Sequence, residues 1–340
     1  MVYIILVNWN GWRDLIECLE SLLRLDFENY AILVCDNGST DGSFQRVQDW
    51  SAGNISVDRS PQAWSSQDEE RRLPPWPIRL ARPEWRPAKG TLTWLEMGRN
   101  AGFAAANNAG LRLALTDPAM RYAWLLNSDT IVKADALTHL VERAGLPPKA
   151  DLIGSTLCLY HSPKKLQALG VAYNLALGRG KEILRDESAD SLPSRDWVEA
   201  RLTYIVGASM LVSRRFVEQI GFMQENYFLY FEEIDWAVRA KGKMNLGWSR
   251  DSIVFHKEGG SIGSDGGARP SNTSLYYLTV NTLRFSLRHR PIYLPLIMSR
   301  LLFVAARYAT VRDAAALAIM AMAIADFVSG RSRIGPIAGG

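Results

Sequence analysis

At 340 residues, with 48% hydrophobic and 22% charged side chains, the chain can hold one large α/β domain with an appendage and has an ordinary globular composition. A net charge of +4 is too slight at this length to argue for nucleic acid, though it suits an anionic substrate or an anionic membrane surface. Three scattered cysteines, Cys18, Cys35 and Cys158, argue for reduced thiols rather than a disulfide framework, and four histidines without HExxH or CxxC partners argue against zinc.

Val2–Val7 is an apolar run of strand length with no basic region before it, so it reads as a strand rather than a signal peptide. Tyr3–Val7 and Ala31–Cys35 are expected strands, separated by a helix with Leu15, Ile16, Leu19, Leu22 and Leu23 on one face. A stretch at about 52–90, rich in Pro, Trp, Arg and Ser, reads as an inserted surface excursion that Trp64, Trp76 and Trp85 pack down or present to a partner, with Trp94 on the next strand. Leu92–Glu96 and Tyr122–Leu126 are further strands, with a helix over Phe103–Leu115 between them. This alternation predicts a mostly parallel sheet with helices on both faces, whose ligands bind at the carboxyl ends of the strands. Beyond it, Leu152–Tyr160 and Arg201–Val212 read as strands, Phe231–Ala240 as a helix, and Asn245–Trp248 and Ser252–Phe255 as short strands leading to His256. After a glycine-rich loop at 259–267 come Leu275–Arg288 and an apolar, Ala-rich tail over 292–328, interrupted by Arg300, Arg307, Arg312, Asp313 and Asp326. No stretch reaches 18 uncharged apolar residues, so an ordinary membrane-spanning helix is not expected. The tail suits an interface, with its arginines towards anionic headgroups, or a packing surface against the catalytic domain or a second copy.

Several strand ends carry polar residues suited to chemistry. The first is followed by Asn8-Trp9-Asn10-Gly11, and the second by Asp36-Asn37-Gly38-Ser39-Thr40-Asp41-Gly42, a turn and helix-cap pattern whose carboxylate could also accept from a base or ribose. Asn100-Ala101-Gly102-Phe103 opens a helix with small residues that let a ligand approach its N–H groups. Neither GxGxxG nor GxxxxGK[ST] occurs, which disfavours a Rossmann dehydrogenase and a P-loop enzyme. Asn127-Ser128-Asp129 ends an apolar strand; Asp129 is either a helix cap or a ligand to a hard cation bridging two phosphates. Glu232, Glu233 and Asp235 are three acids in four positions. On a helix Glu232 and Asp235 share a face, and Glu233 points about 100° away. His256 is a structural histidine, a metal ligand or a diphosphate contact.

As an ordered set over roughly residues 1–260, VNWNGW, CDNGSTDGS, NAGFAAANN, LLNSD, FEEIDW and FH resemble glycosyltransferase family 2, in the wording of its rhamnosyltransferase-like branch of bacterial surface polysaccharide synthesis. The resemblance implies a GT-A fold, with a catalytic domain over 1–270; the composition of the tail makes 271–340 a helical region able to associate with a membrane. The resemblance also implies an inverting transfer from a dTDP- or UDP-sugar to a glycan or polyprenyl-linked acceptor, on the cytoplasmic side. Val7, Asn8, Asn10, Asp36, Asn100, Gly102, Phe103, Asn107, Asn127 and Ser128 would form the nucleotide-sugar pocket, Asp129 and His256 would hold Mg²⁺ or Mn²⁺, and Glu233 would be the base, with Glu232 and Asp235 beside it. Two rivals are a sugar-phosphate nucleotidyltransferase, which should carry a basic glycine-rich loop where Asn8-Trp9-Asn10-Gly11 stands, and a non-catalytic nucleotide-sugar scaffold, which has no need of the acid cluster.

Overall fold

The computed structural model describes residues 1–57, 78–81, 91–258 and 270–337. Trp64, Trp76, Trp85 and the glycine-rich loop at 259–267 lie outside the described residues; Trp94 is buried in the core.

In chain order the elements are β1 (Val2–Asn8), α1 (Trp12–Leu22), β2 (Tyr30–Asp36), α2 (Ser43–Ser51), β3 (Ile78–Leu80), β4 (Leu92–Glu96), α3 (Phe103–Leu115), β5 (Tyr122–Asn127), β6 (Thr130–Val132) and α4 (Ala136–Gly145). There follow β7 (Leu152–Leu159), β8 (Ser162–Ala168), β9 (Val171–Asn174), β10 (Arg179–Glu182), α5 (Arg195–Glu199), β11 (Ser209–Ser213), α6 (Arg214–Ile220), α7 (Glu232–Ala240), β12 (Leu246–His256), α8 (Asn272–His289), α9 (Leu294–Thr310) and α10 (Ala314–Val328).

One sheet runs β3-β4-β2-β1-β5-β11-β7-β12-β6, with β8 pairing off β7. The strands from β3 to β5 are mutually parallel, and β11 enters antiparallel between β5 and β7. Strand alternation divides the core in two. Ile4 and Leu6 of β1 face Leu15, Ile16 and Leu19 of α1 and Leu137 and Leu140 of α4. Tyr3 and Ile5 face α3, Phe216 of α6 and Trp236 of α7. The α3 backbone sits so close that a Cβ at Gly110 would overlap Ile5. Cys18, Cys35 and Cys158 are free and buried in these layers.

Three elements differ from the sequence expectation. The observed strand is Ser209–Ser213, the last part of the expected Arg201–Val212: the strand-favouring run Tyr204-Ile205-Val206 makes one bridge, Val171 to Tyr204, before Gly207 breaks it. Asn245–Trp248 and Ser252–Phe255 are one strand, β12, whose pairing with β7 shifts register between Ser249 and Ile253. The tail divides at Arg312, which has φ 55°, and Asp313, whose side chain caps α10 by accepting from the Ala316 N–H at 3.0 Å. Its first half, Pro291–Thr310, is 20 residues long with mean hydropathy 1.4 and 11% of it buried, enough in length and composition to cross a membrane. It contains no run of 18 uncharged residues, because Arg300 and Arg307 interrupt it, yet its average hydropathy stays high.

Candidate functional site

Parallel pairing puts Asn8 level with Asp36 and Val7 level with Asn127, so the chain leaves β1, β2 and β5 at one edge. A cleft of about 510 Å³ lies beyond that edge. Of the residues expected in the nucleotide-sugar pocket, Val7, Asn100, Gly102, Phe103, Asn127 and Ser128 line it. Asn8, Asn10, Asp36 and Asn107 do not. Asn8 is fully buried and donates to Asp36 Oδ1 at 2.8 Å and Ser39 Oγ at 3.0 Å; Asp36 in turn accepts from the Ser39 N–H at 3.0 Å and its hydroxyl at 2.6 Å. Asn10 accepts from the Thr40 N–H at 2.7 Å, and Asn107 donates to its own helix at Phe103 O, 3.1 Å. Asn8, Asp36 and Asn107, all buried, shape the turn and the helix start, and Asn10 braces the same turn from the surface. Asn37 and Trp9 line the cleft and were passed over in favour of their neighbours. Asn37 accepts from the Ala101 N–H at 2.9 Å and donates to Asn100 at 2.9 Å, joining the two strand-end motifs.

The turn after β5 carries Asp129 into the cleft, and β6 then pairs antiparallel with the end of β12, setting His256 opposite Thr130. Sequence-distant Asp129 and His256 thus meet, Oδ1 to Nε2, at 3.2 Å. Burial pulls the His256 pKa down, but the Asp129 carboxylate outweighs it and leaves it raised; burial raises Asp129, and His256 outweighs that and holds it low. The other ring nitrogen, Nδ1, lies 2.9 Å from Gln167 Oε1. Gln167 Nε2 donates to Glu258 at 3.0 Å, which assigns the amide oxygen to the histidine side, and Arg185 holds Glu258 through both guanidinium nitrogens at 2.9 and 2.8 Å. Nδ1 therefore carries the proton, and in the neutral ring the Nε2 lone pair faces a carboxylate. Two acceptors facing each other at this distance suit a shared proton or a shared cation. Among the described residues no group of three His, Cys, Asp or Glu side chains forms a cation cage. A carboxylate and an imidazole fit a divalent ion whose remaining ligands are substrate phosphates and water.

Opposite lies the acid segment. Phe228, Tyr230 and Phe231 have φ of 63°, 63° and 75°, left-handed conformations that bulky residues rarely adopt. Asn281 of α8, fully buried, holds the segment by donating to Tyr227 O at 2.8 Å and Leu229 O at 2.9 Å. Phe228 O accepts from the Phe103 N–H at 3.1 Å, and Gly102, at φ 92°, has no room for a Cβ against it. The segment delivers Glu232 and Glu233 to the cleft. Burial, with part of the load relieved by the Gly207 N–H, pushes Glu233 up to about 7. Glu232 is raised well above the usual carboxylate range by burial and by Glu233. A Cβ at Gly207 would overlap the Glu233 carboxylate, so glycine there lets the backbone reach it. The break in the expected 201–212 strand thus forms part of the site.

Asp235 does not join them, and the helical-face argument that paired it with Glu232 gave way to tertiary contacts. It is fully buried, 2.8 Å from Arg239 and 2.7 Å from His289, with the Tyr227 hydroxyl at 3.2 Å. Burial raises it, but His289 and Arg239 outweigh that and hold it below the usual carboxylate range. It fastens α7 to α8 on the side away from the cleft.

The family model described as Glycosyl transferase family 2 matches residues 3–67 and 84–176. A curated relative, the low-salt glycan biosynthesis hexosyltransferase Agl10 of Haloferax volcanii, is 25% identical over 167 residues, 48% of this chain and 52% of the relative, so the chain spans about half the length of that relative. The mannosyltransferase PcManGT from Pyrobaculum calidifontis, solved in complex with GDP-Man and Mn²⁺, superposes with a TM-score of 0.50 at 15% identity, covering 98% of this chain and 76% of that one. GalNAc-T7, solved with UDP, GalNAc and Mn²⁺, gives a TM-score of 0.50 at 14% identity over 75% of this chain and 43% of that one. Both are likenesses of fold.

Proposed function

We propose that this chain, whose residues 3–67 and 84–176 match glycosyl transferase family 2, is an enzyme of that family with the GT-A fold and moves a sugar from a nucleotide-diphospho donor to an acceptor hydroxyl with inversion at the anomeric carbon. The observation that carries the reading is the placement of Glu233, a carboxylate raised to about 7, across one cleft from the Asp129–His256 pair. Asn37, Asn100 and Phe103 wall the nucleoside side of that cleft. A Mg²⁺ or Mn²⁺ ion held by Asp129 and His256 would neutralise charge on the leaving diphosphate. Gln167 and the Arg185–Glu258 pair keep His256 in the tautomer that offers Nε2. Glu233, ionised near neutral pH and poorly solvated, takes the proton of the acceptor hydroxyl as its oxygen bonds to the anomeric carbon. The bond from that carbon to the diphosphate oxygen breaks on the opposite face, and one displacement inverts the centre. Glu232 stays protonated beside it and can donate a hydrogen bond.

Within this class, the motif wording favours a rhamnosyl donor and a role in bacterial surface polysaccharide synthesis. We take residues 1–270 as the catalytic domain and 271–340 as a helical region that associates with the inner face of a membrane. A panel of dTDP-, UDP- and GDP-sugars, scanned by thermal shift with and without Mn²⁺, tests the donor side. One nucleotide should raise the melting temperature in a metal-dependent way, worth about 2.7 kcal/mol at a hundredfold excess over Kd. Full transfer activity in excess EDTA would refute the metal.

A further inference from the structure

The segment that follows α10, residues 331–337, belongs to no helix or ladder and runs back along α8, antiparallel to it. Its contacts fall in order. Arg331 O accepts from Arg284 at 2.6 Å, Gly335 O accepts from the Tyr277 hydroxyl at 2.8 Å, and the Ile337 N–H donates to Thr273 Oγ1 at 3.0 Å. The far end arrives at the cleft, where Pro336 and Thr273 line the wall together with Phe228 and Tyr230. Residues 331–337 are therefore a strap across one side of the site.

Two neighbouring tyrosines of α8, both fully buried, hold the strap from below. Tyr276 donates to Asp326 at 2.8 Å, and Asp326, one of the charges that interrupt the apolar tail, pairs with Arg333. Tyr277 reaches the strap directly through Gly335 O, with Arg333 O at 3.4 Å. The Tyr277 ring also stacks on Phe228, with centroids 5.0 Å apart, and Phe228 O accepts from the Phe103 N–H of the nucleoside wall. One side chain thus touches both the strap and the segment against which that wall is built.

Little apolar burial secures the strap. Arg331, Ser332, Ile334 and Pro336 are exposed, and Ile337 is its one side chain packed against the helical cluster among the described residues. A segment held by a few hydrogen bonds and one ion pair opens locally at low cost. A ligand that gains contact with Pro336 only when the strap is docked shifts it towards docking, and docking tightens the ligand by the same factor.

We propose that residues 331–337 close over the nucleotide in the cleft, with Tyr277 as the positioning residue that couples the strap to the wall at Phe228. The proposal rests on the nucleotide-diphospho-sugar reading for the ligand, while the attachment of the strap stands on α8 itself.

A nitroxide on Ser332→Cys reads the strap: Ser332 is exposed and Cys18, Cys35 and Cys158 are buried, so the label has one site. The probes are dTDP, UDP and GDP, each titrated with Mg²⁺ into the full chain, with affinity from calorimetry and label mobility from electron spin resonance. The nucleotide that binds should slow the label. Tyr277→Phe keeps the ring on Phe228 and drops the hydroxyl; it should leave the label mobile and weaken that nucleotide about fivefold or more. Asp326→Asn, which loosens Arg333 at a separate anchor, should do the same. Should Asp326→Asn fail to fold, Arg333→Gln breaks that ion pair from its outer end. Binding that leaves the label as mobile as before overturns the strap, and so does unchanged affinity in both variants. Tighter binding in the variants also overturns it, by making the segment an obstruction rather than a closure. The donor reading fails separately, when none of the three nucleotides binds wild type, and the role of the strap falls with it.

Discussion

The two sides of the cleft are built by different means. On the strand-end side, Val7 and Asn127 end adjacent strands locked in register over six or seven residues, so their positions follow from pairing alone, and Asp129 stands two residues further on in the turn. On the acid side, Glu232 and Glu233 leave a segment of three left-handed bulky residues that has no ladder of its own and hangs on Asn281, some fifty positions further on. A sheet edge positions its side chains cheaply and holds whatever the neighbours do. A strained segment can aim a carboxylate into a dry pocket, but it needs an outside clamp. Here α8 is that clamp, and His289 repeats the connection through Asp235.

The sharpest way to break the comparison is Glu233→Gln. The substitution keeps volume but cannot accept a proton, so kcat should fall on the order of 10²–10⁴-fold while donor-nucleotide affinity, set on the other side, stays unchanged. Steady-state kinetics with a donor-binding titration reads both. Near-normal kcat would remove Glu233 from the proton transfer.

Asn281→Ala tests the clamp. Two buried carbonyls lose their donor, which should cost about 1–3 kcal/mol in urea unfolding. Turnover should drop more than nucleotide affinity does, because the acids move and the strand ends stay. Equal loss in both would mean that the two sides are mechanically one.

The smallest effect sharpens the electrostatic difference. Glu233 has a folded pKa of about 7 against an ordinary 4.5. Between those values the unfolded chain releases its proton and the folded chain retains it. Ionisation therefore costs stability, not at all below about pH 4.5 and in full above about pH 7. Glu233→Gln, which never ionises, should melt with wild type at pH 4 and about 1–3 °C above it at pH 8. A pH-independent difference would place the Glu233 pKa at its ordinary value. Activity should fall in wild type as the pH drops through 7, since the base is then protonated.

How far the site could be read from the sequence follows the same division. Strand ends are legible because alternation and polar punctuation are local, and the helix over Phe103–Leu115 and the strand over Leu92–Glu96 were legible to their ends. Asn37 was within reach, since it adjoins Asp36 in the same turn; residue type favoured the carboxylate, whereas hydrogen bonding turned Asp36 inward on Asn8 and Ser39. Gly207 left no signal beyond a glycine in a β-rich run. Gln167, Glu258 and Arg185 left none, because each acts through a partner that is remote in the chain.

The order of apolar periods and strand-end polar residues was enough to determine a mostly parallel α/β sheet, the edge beyond which the cleft opens and the family whose model the chain matches. Tertiary structure alone decided which of the three acids face the cleft. Helical spacing groups Glu232 with Asp235, but Arg239, His289 and Tyr227 draw Asp235 away into an ion cluster and leave Glu233 against Gly207. It also decided that His256 meets Asp129, through the short β6–β12 pairing. Periodicity reports which face of an element is apolar. Which charged side chain finds a partner depends on what the rest of the chain brings to that face, and a single segment carries no record of it.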